Sequence, residues 1–142
     1  MAIVLVPILD ELPADFARLE LDAAADGHAN MARLSVEFAR TPAMFHHVIA
    51  AHVGGALAGI GAITDEPAAA EHPAWRMRRL YVRRDFRRRR VAQTIVADLL
   101  RAAASKVVLV TVHTGSNVSA RFWEAMGFDP VADRGWSHQR RP

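Results

Sequence analysis

The 142-residue sequence contains no cysteine, and this absence alone removes several chemistries. It leaves no disulfide framework, no thiolate nucleophile and no cysteine-based zinc site. Lysine is almost absent too: of 18 basic residues, 17 are arginine and the other is Lys106. Schiff-base chemistry would rest on Lys106, which opens an apolar run and reads as an ordinary strand-end lysine. No run of about 18 apolar residues occurs, so no membrane span is predicted. The apolar start, Met1 to Ile8, has no basic region ahead of it and runs into Pro7 and Asp10, which argues against a signal peptide. A cytoplasmic protein is expected.

Hydrophobic residues make up 51% of the chain, enough for a real core, and the length suits one domain over residues 1–142. The net charge is only +3, but it is unevenly spread. Nine arginines fall between Arg76 and Arg90, where Asp85 is the one acid. That window carries +8 and the rest of the chain −5. A mildly acidic domain with one concentrated cationic segment calls for an anionic partner at one place.

The apolar patterning predicts alternating strands and helices. Residues 2–8 read as a strand, with Pro7 marking an edge or an end. Residues 13–40 have helical spacing and are broken in two at Gly27 and His28. Strands at 45–53 and 56–64 flank Gly54-Gly55, a hairpin signal. Residues 65–74 form a loop. Residues 75–83 alternate imperfectly, and the slip between Met77 and Leu80 predicts a bulge. The strongest helix pattern runs from Arg87 to Ala104, with rows Val91, Ile95, Leu99 and Ala92, Val96, Leu100 on one broad face. A strand at 106–113, a short helix from Asn117 to Met126 capped by Ser116 or Asn117 and stopped by Gly127-Phe128, and two short strands within 128–139 complete the chain. The interleaved strands and helices mean that the expected fold class is α/β, a single sandwich.

A strand leading into a helix whose first turn is Arg87-Arg88-Arg89-Arg90 puts four cations at the positive end of a helix dipole. That arrangement makes sense if an anion sits there, held by backbone N–H groups and guanidinium groups, as in a phosphate or pyrophosphate cradle. A solvated basic surface and a nucleic-acid patch are the other readings of the segment.

Leu80-Tyr81-Val82 followed by Arg87-Arg88-Arg89-Arg90-Val91-Ala92 resembles the cofactor motif of the GNAT family of N-acetyltransferases, Arg/Gln-x-x-Gly-x-Gly/Ala at the start of the central helix. The segment from Asn117 to Phe128 resembles the family's second motif, Asn-x-x-Ala-x-x-Tyr-Glu-x-x-Gly-Phe. The order of elements matches the family fold along nearly the whole chain, and the resemblance implies that fold, a mixed central β-sheet of six to seven strands flanked by about four helices. The resemblance implies acetyl-CoA as cosubstrate and direct transfer of its acetyl group to an amine of a small molecule or peptide. It implies that Leu80, Tyr81 and Val82 lie along the pantetheine arm and that Arg87, Arg88, Arg89, Arg90, Val91 and Ala92 hold the pyrophosphate. It also implies that Asn117 contacts the arm or helps splay the central strands. A homodimer is expected of the family, although no residue here establishes one.

Two positions depart from the pattern. Arg90 stands where the motif has its first glycine; a helical arginine can keep the same backbone angles, its side chain pointing away or wrapping the phosphates. Trp123 stands where the family carries a tyrosine that protonates the departing thiolate, and an indole N–H donates a hydrogen bond but transfers no proton near neutral pH. For the base that takes the amine proton, the candidates are Glu66 and His138, with Asp65, Glu71 and His72 nearby and water as an alternative. His46, His47, His52 and His113 read as packed or surface strand histidines. The acceptor site is expected around residues 26–30 and 133–138, with Asp22, Asp26 and Glu37 supplying negative charge for a cationic amine or serving as an ordinary solvated helix face. Arg76, Arg78, Arg79, Arg83 and Arg84 are expected as strand-face and rim charges, near the 3′-phosphate of the cofactor. Two other functions remain beside the enzyme. One is a non-catalytic acyl-CoA binder, suggested by Arg90 and Trp123. The other is a nucleic-acid module, against which only Tyr81 and Phe86 interleave the arginines.

Overall fold

A computed structural model describes residues 2–142. Its elements are β1 (Ile3–Pro7), α1 (Phe16–Ala25), α2 (Asn30–Arg40), β2 (Phe45–Val53), β3 (Ala56–Asp65) and β4 (Ala74–Val82). They continue as α3 (Val91–Ala104), β5 (Leu109–Val112), α4 (Asn117–Ala125), β6 (Asp129–Pro130) and β7 (His138–Arg140). The strands form one seven-stranded sheet in the order β1-β2-β3-β4-β5-β7-β6. All neighbours are antiparallel except β4 and β5. This is the mixed sheet of six to seven strands with about four helices that the resemblance implies.

Each face of the sheet has its own core. On one, Leu19 and Ala23 of α1 and Met31 and Leu34 of α2 pack on Val48, Ile60 and Tyr81. On the other, Val91, Ile95 and Leu99 of α3 cover Ile49, Ile63 and Met77. The two apolar rows on α3 thus find the sheet, and full burial of a side chain such as Ile95 or Leu99 is worth about 1.5–3 kcal/mol. Gly54 and Gly55 both have positive φ, which the two-residue β2–β3 turn requires.

Two elements differ from the sequence reading. The helix predicted from Arg87 begins at Val91. Residues 84–86 form a single 3-10 turn, and Arg88 and Arg90 have φ of +64° and +63°, a left-handed conformation that no right-handed helix contains. Val91 is also the first buried residue of the segment, so apolar packing begins where the helix does. The strand predicted over 106–113 is confined to Leu109–Val112. The amides of Lys106 and Val107 still bond back to Ala103 O, closing the end of α3, and Val108 is exposed.

The predicted slip in β4 is a bulge. Ile60 faces Tyr81 but Ala62 faces Arg78, so Arg79 and Leu80 together oppose Gly61. Arg79 carries φ +55° at this point, and the bulge re-aims the second half of the strand.

Candidate active site

The site starts from a gap in the sheet. β4 and β5 pair in parallel over only three residues, Ala74↔Leu109, Trp75↔Val110 and Arg76↔Thr111. Beyond Arg76 the bulge carries β4 away, and a cleft of about 1140 Å³ opens between the strands. With no β5 partner there, the carbonyls of Leu80 and Val82 accept hydrogen bonds from side chains instead, Asn30 Nδ2 at 3.1 Å and Arg87 Nε at 3.1 Å. Leu80, Tyr81 and Val82 form one wall, and Val112, Thr114 and Trp123 stand on the other.

Trp123 is held in place by the end of its helix. Gly127, at φ +86°, lets its own amide bond Glu124 O and the Phe128 amide bond Trp123 O, both at 3.0 Å. This reverse turn brings the Phe128 ring edge-on to the indole, with centroids 5.2 Å apart. At the start of α4, Ser116 Oγ accepts from the Ser119 amide at 3.1 Å. Ser116, Val118 and Ser119 border the cleft, whereas Asn117, exposed between them, does not line it.

At the far end of β4, the turn before α3 closes the cleft with Arg87, Arg88, Arg90, Val91 and Ala92; Arg89 lies outside the lining. The amides of Arg88, Arg90, Val91, Ala92 and Gln93 have no protein acceptor. Arg88, Arg89 and Arg90 are exposed and form no ion pair among the described residues. Free amides, a helix N-terminus and unpaired guanidinium groups at one cleft end suit a pyrophosphate. Arg90 is not the helical residue expected: it is the N-cap of α3, in the left-handed conformation that glycine adopts without strain.

The cationic window is far less bare than its charge count suggests. Arg83 pairs with Asp22 at 2.5 Å, and Arg79 grips Glu37 through Nε at 2.8 Å and a second nitrogen at 2.7 Å. Asp26 accepts from Tyr81 Oη at 2.9 Å, from Arg87 at 2.5 Å and from Arg84. The Tyr81 hydrogen bond, then that from Arg87, hold the Asp26 carboxyl down at about 2. Burial and the same contact with Asp26 push the Tyr81 phenol up to about 12, so it stays protonated in the site. Asp22, Asp26 and Glu37 therefore neutralise this protein's own arginines rather than wait for a cationic acceptor. Arg76, Arg79, Arg83 and Arg84 likewise hold carboxylates rather than standing as rim charges.

The two residues expected as bases lie outside the cleft. Glu66 is bound by Arg76 at 2.7 and 3.0 Å, by Thr111 Oγ1 at 2.6 Å and by the Ala68 amide at 2.6 Å. Burial raises its carboxyl, but the donors from Arg76, Thr111 and Ala68 outweigh it and hold it below the ordinary value. This is a buried ion pair fixing the start of β4 to β5, with both carboxylate oxygens committed. His138 is buried, its Nδ1 2.9 Å from Ser137 Oγ and its Nε2 2.9 Å from Glu124 Oε2. It joins β7 to α4. Asn30, of the segment expected at the acceptor, and Arg78, expected as a strand-face or rim charge, do line the cleft; so do His113, expected as a packed or surface histidine, and Arg33, which the sequence did not single out.

A family model described as the acetyltransferase (GNAT) family matches residues 9–128. No curated protein sequence matches the chain. Among solved structures, an acetyltransferase-assigned protein from Exiguobacterium sp. 255-15 superposes with a TM-score of 0.86 at 14% identity, covering 99% of this chain and 94% of that one. YhbS from Escherichia coli, a GNAT family N-acetyltransferase solved with CoA, gives 0.70 at 14% identity, covering 98% and 81%. Glucosamine-6-phosphate N-acetyltransferase from Arabidopsis thaliana gives 0.66 at 14% identity, covering 93% and 95%. These likenesses establish a shared fold.

Proposed function

Because this chain belongs to the GNAT family of acetyltransferases, we propose that it is an acetyl-CoA-dependent N-acetyltransferase acting on an amine. The observation that carries this reading is the cleft between the parted strands β4 and β5, with its unpartnered amides at the start of α3. The amides of Arg88, Arg90, Val91 and Ala92 would hold the pyrophosphate of acetyl-CoA, helped by the exposed guanidinium groups beside them. The edge of β4 at Leu80, Tyr81 and Val82 would run beside the pantetheine arm. The Arg87 side chain is already engaged by Asp26 and by Val82 O, so its part is to brace the turn.

Acetyl-CoA held there would supply an activated acyl group: a C–N bond would form from the amine lone pair as the C–S bond broke with its electron pair on sulfur, the proton lost by nitrogen passing to that sulfur by way of a water in the cleft. The protein's contribution is placement of the amine and exclusion of bulk water. Trp123 fixes the wall of the cleft and offers an N–H, not a transferable proton. No carboxylate lines the cleft to serve as a base. Instead, Arg33 and Arg78, which line the cleft and form no ion pair among the described residues, create a positive potential there, which disfavours an ammonium and favours the neutral, nucleophilic amine.

The test is thiol release from acetyl-CoA against a panel of small amines and peptides. Amine-dependent release is expected. Saturable acetyl-CoA binding with no release across the panel would instead make the protein a non-catalytic acyl-CoA binder, the reading favoured by tryptophan at position 123.

A further inference from the structure

The cleft is lined by charge of one sign: Arg33, Arg76, Arg78, Arg88 and Arg90 face it and no aspartate or glutamate does. These cations fall into two groups. Arg88 and Arg90 stand beyond Val82, at the start of α3. Arg78 lies four residues before Val82 and across the bulge, at most roughly 13 Å away at about 3.3 Å per strand residue. Arg33 of α2 and Arg78 both act on the Glu37 carboxyl, which puts them at the same end. A pyrophosphate at the start of α3 leaves this second group with only the carboxylates of Glu37 and Glu66, which Arg79 and Arg76 already hold.

The neighbours of Arg78 do not supply one. Arg76 and Arg79 occupy Glu66 and Glu37 in two-pronged pairs. The one partner of Arg78 is neutral, Thr64 Oγ1 at 3.0 Å. Arg33 has no ion pair among the described residues. Burial, and then the like charges of Arg76 and Arg79, push the Arg78 guanidinium below its ordinary value, and the Glu37 and Glu66 carboxylates offset this only in part. A half-buried cation whose nearby carboxylates are held by other arginines is costly until an anion pairs with it directly. Beside it, Asn30 Oδ1 is buried and has no donor, while Nδ2 of the same amide is spent on Leu80 O.

We propose that the amine acceptor carries its own anionic group, a carboxylate or a phosphate, which pairs with Arg78 and Arg33 while its amine lies toward Asn30 and the parting of β4 and β5. The proposal rests on the acetyl-transfer reading above and narrows its substrate class. A polyamine or a cationic peptide would bring its second charge against guanidinium groups with no free carboxylate to receive it. An anionic acceptor is drawn in by the potential that keeps its amine neutral.

Matched acceptor pairs test this at saturating acetyl-CoA: α-amino acids against their α-amides, a phosphorylated amino sugar against its unphosphorylated parent, and a polyamine alongside. In at least one pair the anionic member should have kcat/KM about tenfold or more above its partner, and which pair responds tells carboxylate from phosphate. Arg78→Gln should collapse that ratio toward one through KM, with the acetyl-CoA Kd measured by calorimetry kept within about twofold. Arg33→Gln, at an exposed helix position, should reduce the ratio without endangering the fold. Amides or the polyamine turned over as well as the anionic acceptors, or a ratio untouched by either variant, overturns the proposal. So does a protein that binds acetyl-CoA but turns over neither pair. If the wild-type protein does not bind acetyl-CoA, the acetyl-transfer reading fails first and this one falls with it.

Discussion

Arg90 holds φ +63° and ψ 20°, a left-handed conformation that costs a residue with a Cβ about 1–2 kcal/mol. Arg79 and Arg88 share the same sign of φ, so three of the four non-glycine residues with positive φ among those described are arginines beside the cleft. Strain of this kind gathers where a surrounding structure fixes an arrangement for use. At Arg90 it sets the direction in which the first free amides of α3 point. The consequence for stability is unusual in sign. In a helix interior alanine is worth about 1 kcal/mol more than glycine. At this position Arg90→Gly should be more stable than Arg90→Ala by about 1 kcal/mol in urea unfolding, because alanine keeps the strain and glycine relieves it. Equal stability, or alanine ahead, would contradict the left-handed N-cap. The sequence already marked position 90 as one where glycine is wanted. It did not reveal the sign of φ, because a run of four arginines has the same composition whether it lies in a helix or in the turn before it.

The elements that enclose the cleft are tied by ion pairs that no local pattern announces. Asp26, at the end of α1, is joined to Tyr81 of β4 and to Arg84 and Arg87 of the turn before α3, partners 55 to 61 residues away in sequence. Elements whose logic is local were legible: the Gly54-Gly55 hairpin, the slip that became the β4 bulge, the two apolar rows of α3 and the Gly127-Phe128 stop of α4. The long-range pairs were not, so a window with a net charge of +8 read as unpaired although five of its arginines meet carboxylates of α2, of α1 and its C-terminal end, and of the β3–β4 loop. For the same reason Glu66 and His138, reasonable as bases by position, are committed to contacts that fasten β4 to β5 and β7 to α4. The Asp26 junction predicts a pH dependence. Its carboxyl lies lower in the folded chain than its ordinary 3.8, at about 2. The stability it contributes is therefore fully present above pH 3.8 and is lost as pH falls through about 2. Urea unfolding of the wild-type protein and of Asp26→Asn should differ at pH 5 and converge as the pH approaches 2. A difference that stays constant over this range would exclude the junction as a charged one.

Across the whole molecule, two cores on opposite faces of one sheet hold β4 and β5 firmly where they pair and leave them apart where they do not. No helix among the described residues is long and apolar enough to cross a membrane. Positive charge that looked like one block resolves into three uses. Some arginines lock the α1–α2 layer to β4, some stand free at the start of α3, and Arg78 and Arg33 stand unpaired at the opposite end of the cleft. The central claim is that the middle group and the free amides beside it form an acetyl-CoA site. Calorimetric titration of the wild-type chain with acetyl-CoA measures this directly. The account predicts saturable binding of one molecule per chain, competed by CoA. No saturable binding up to about 1 mM, a free energy of only about 4 kcal/mol, would contradict it.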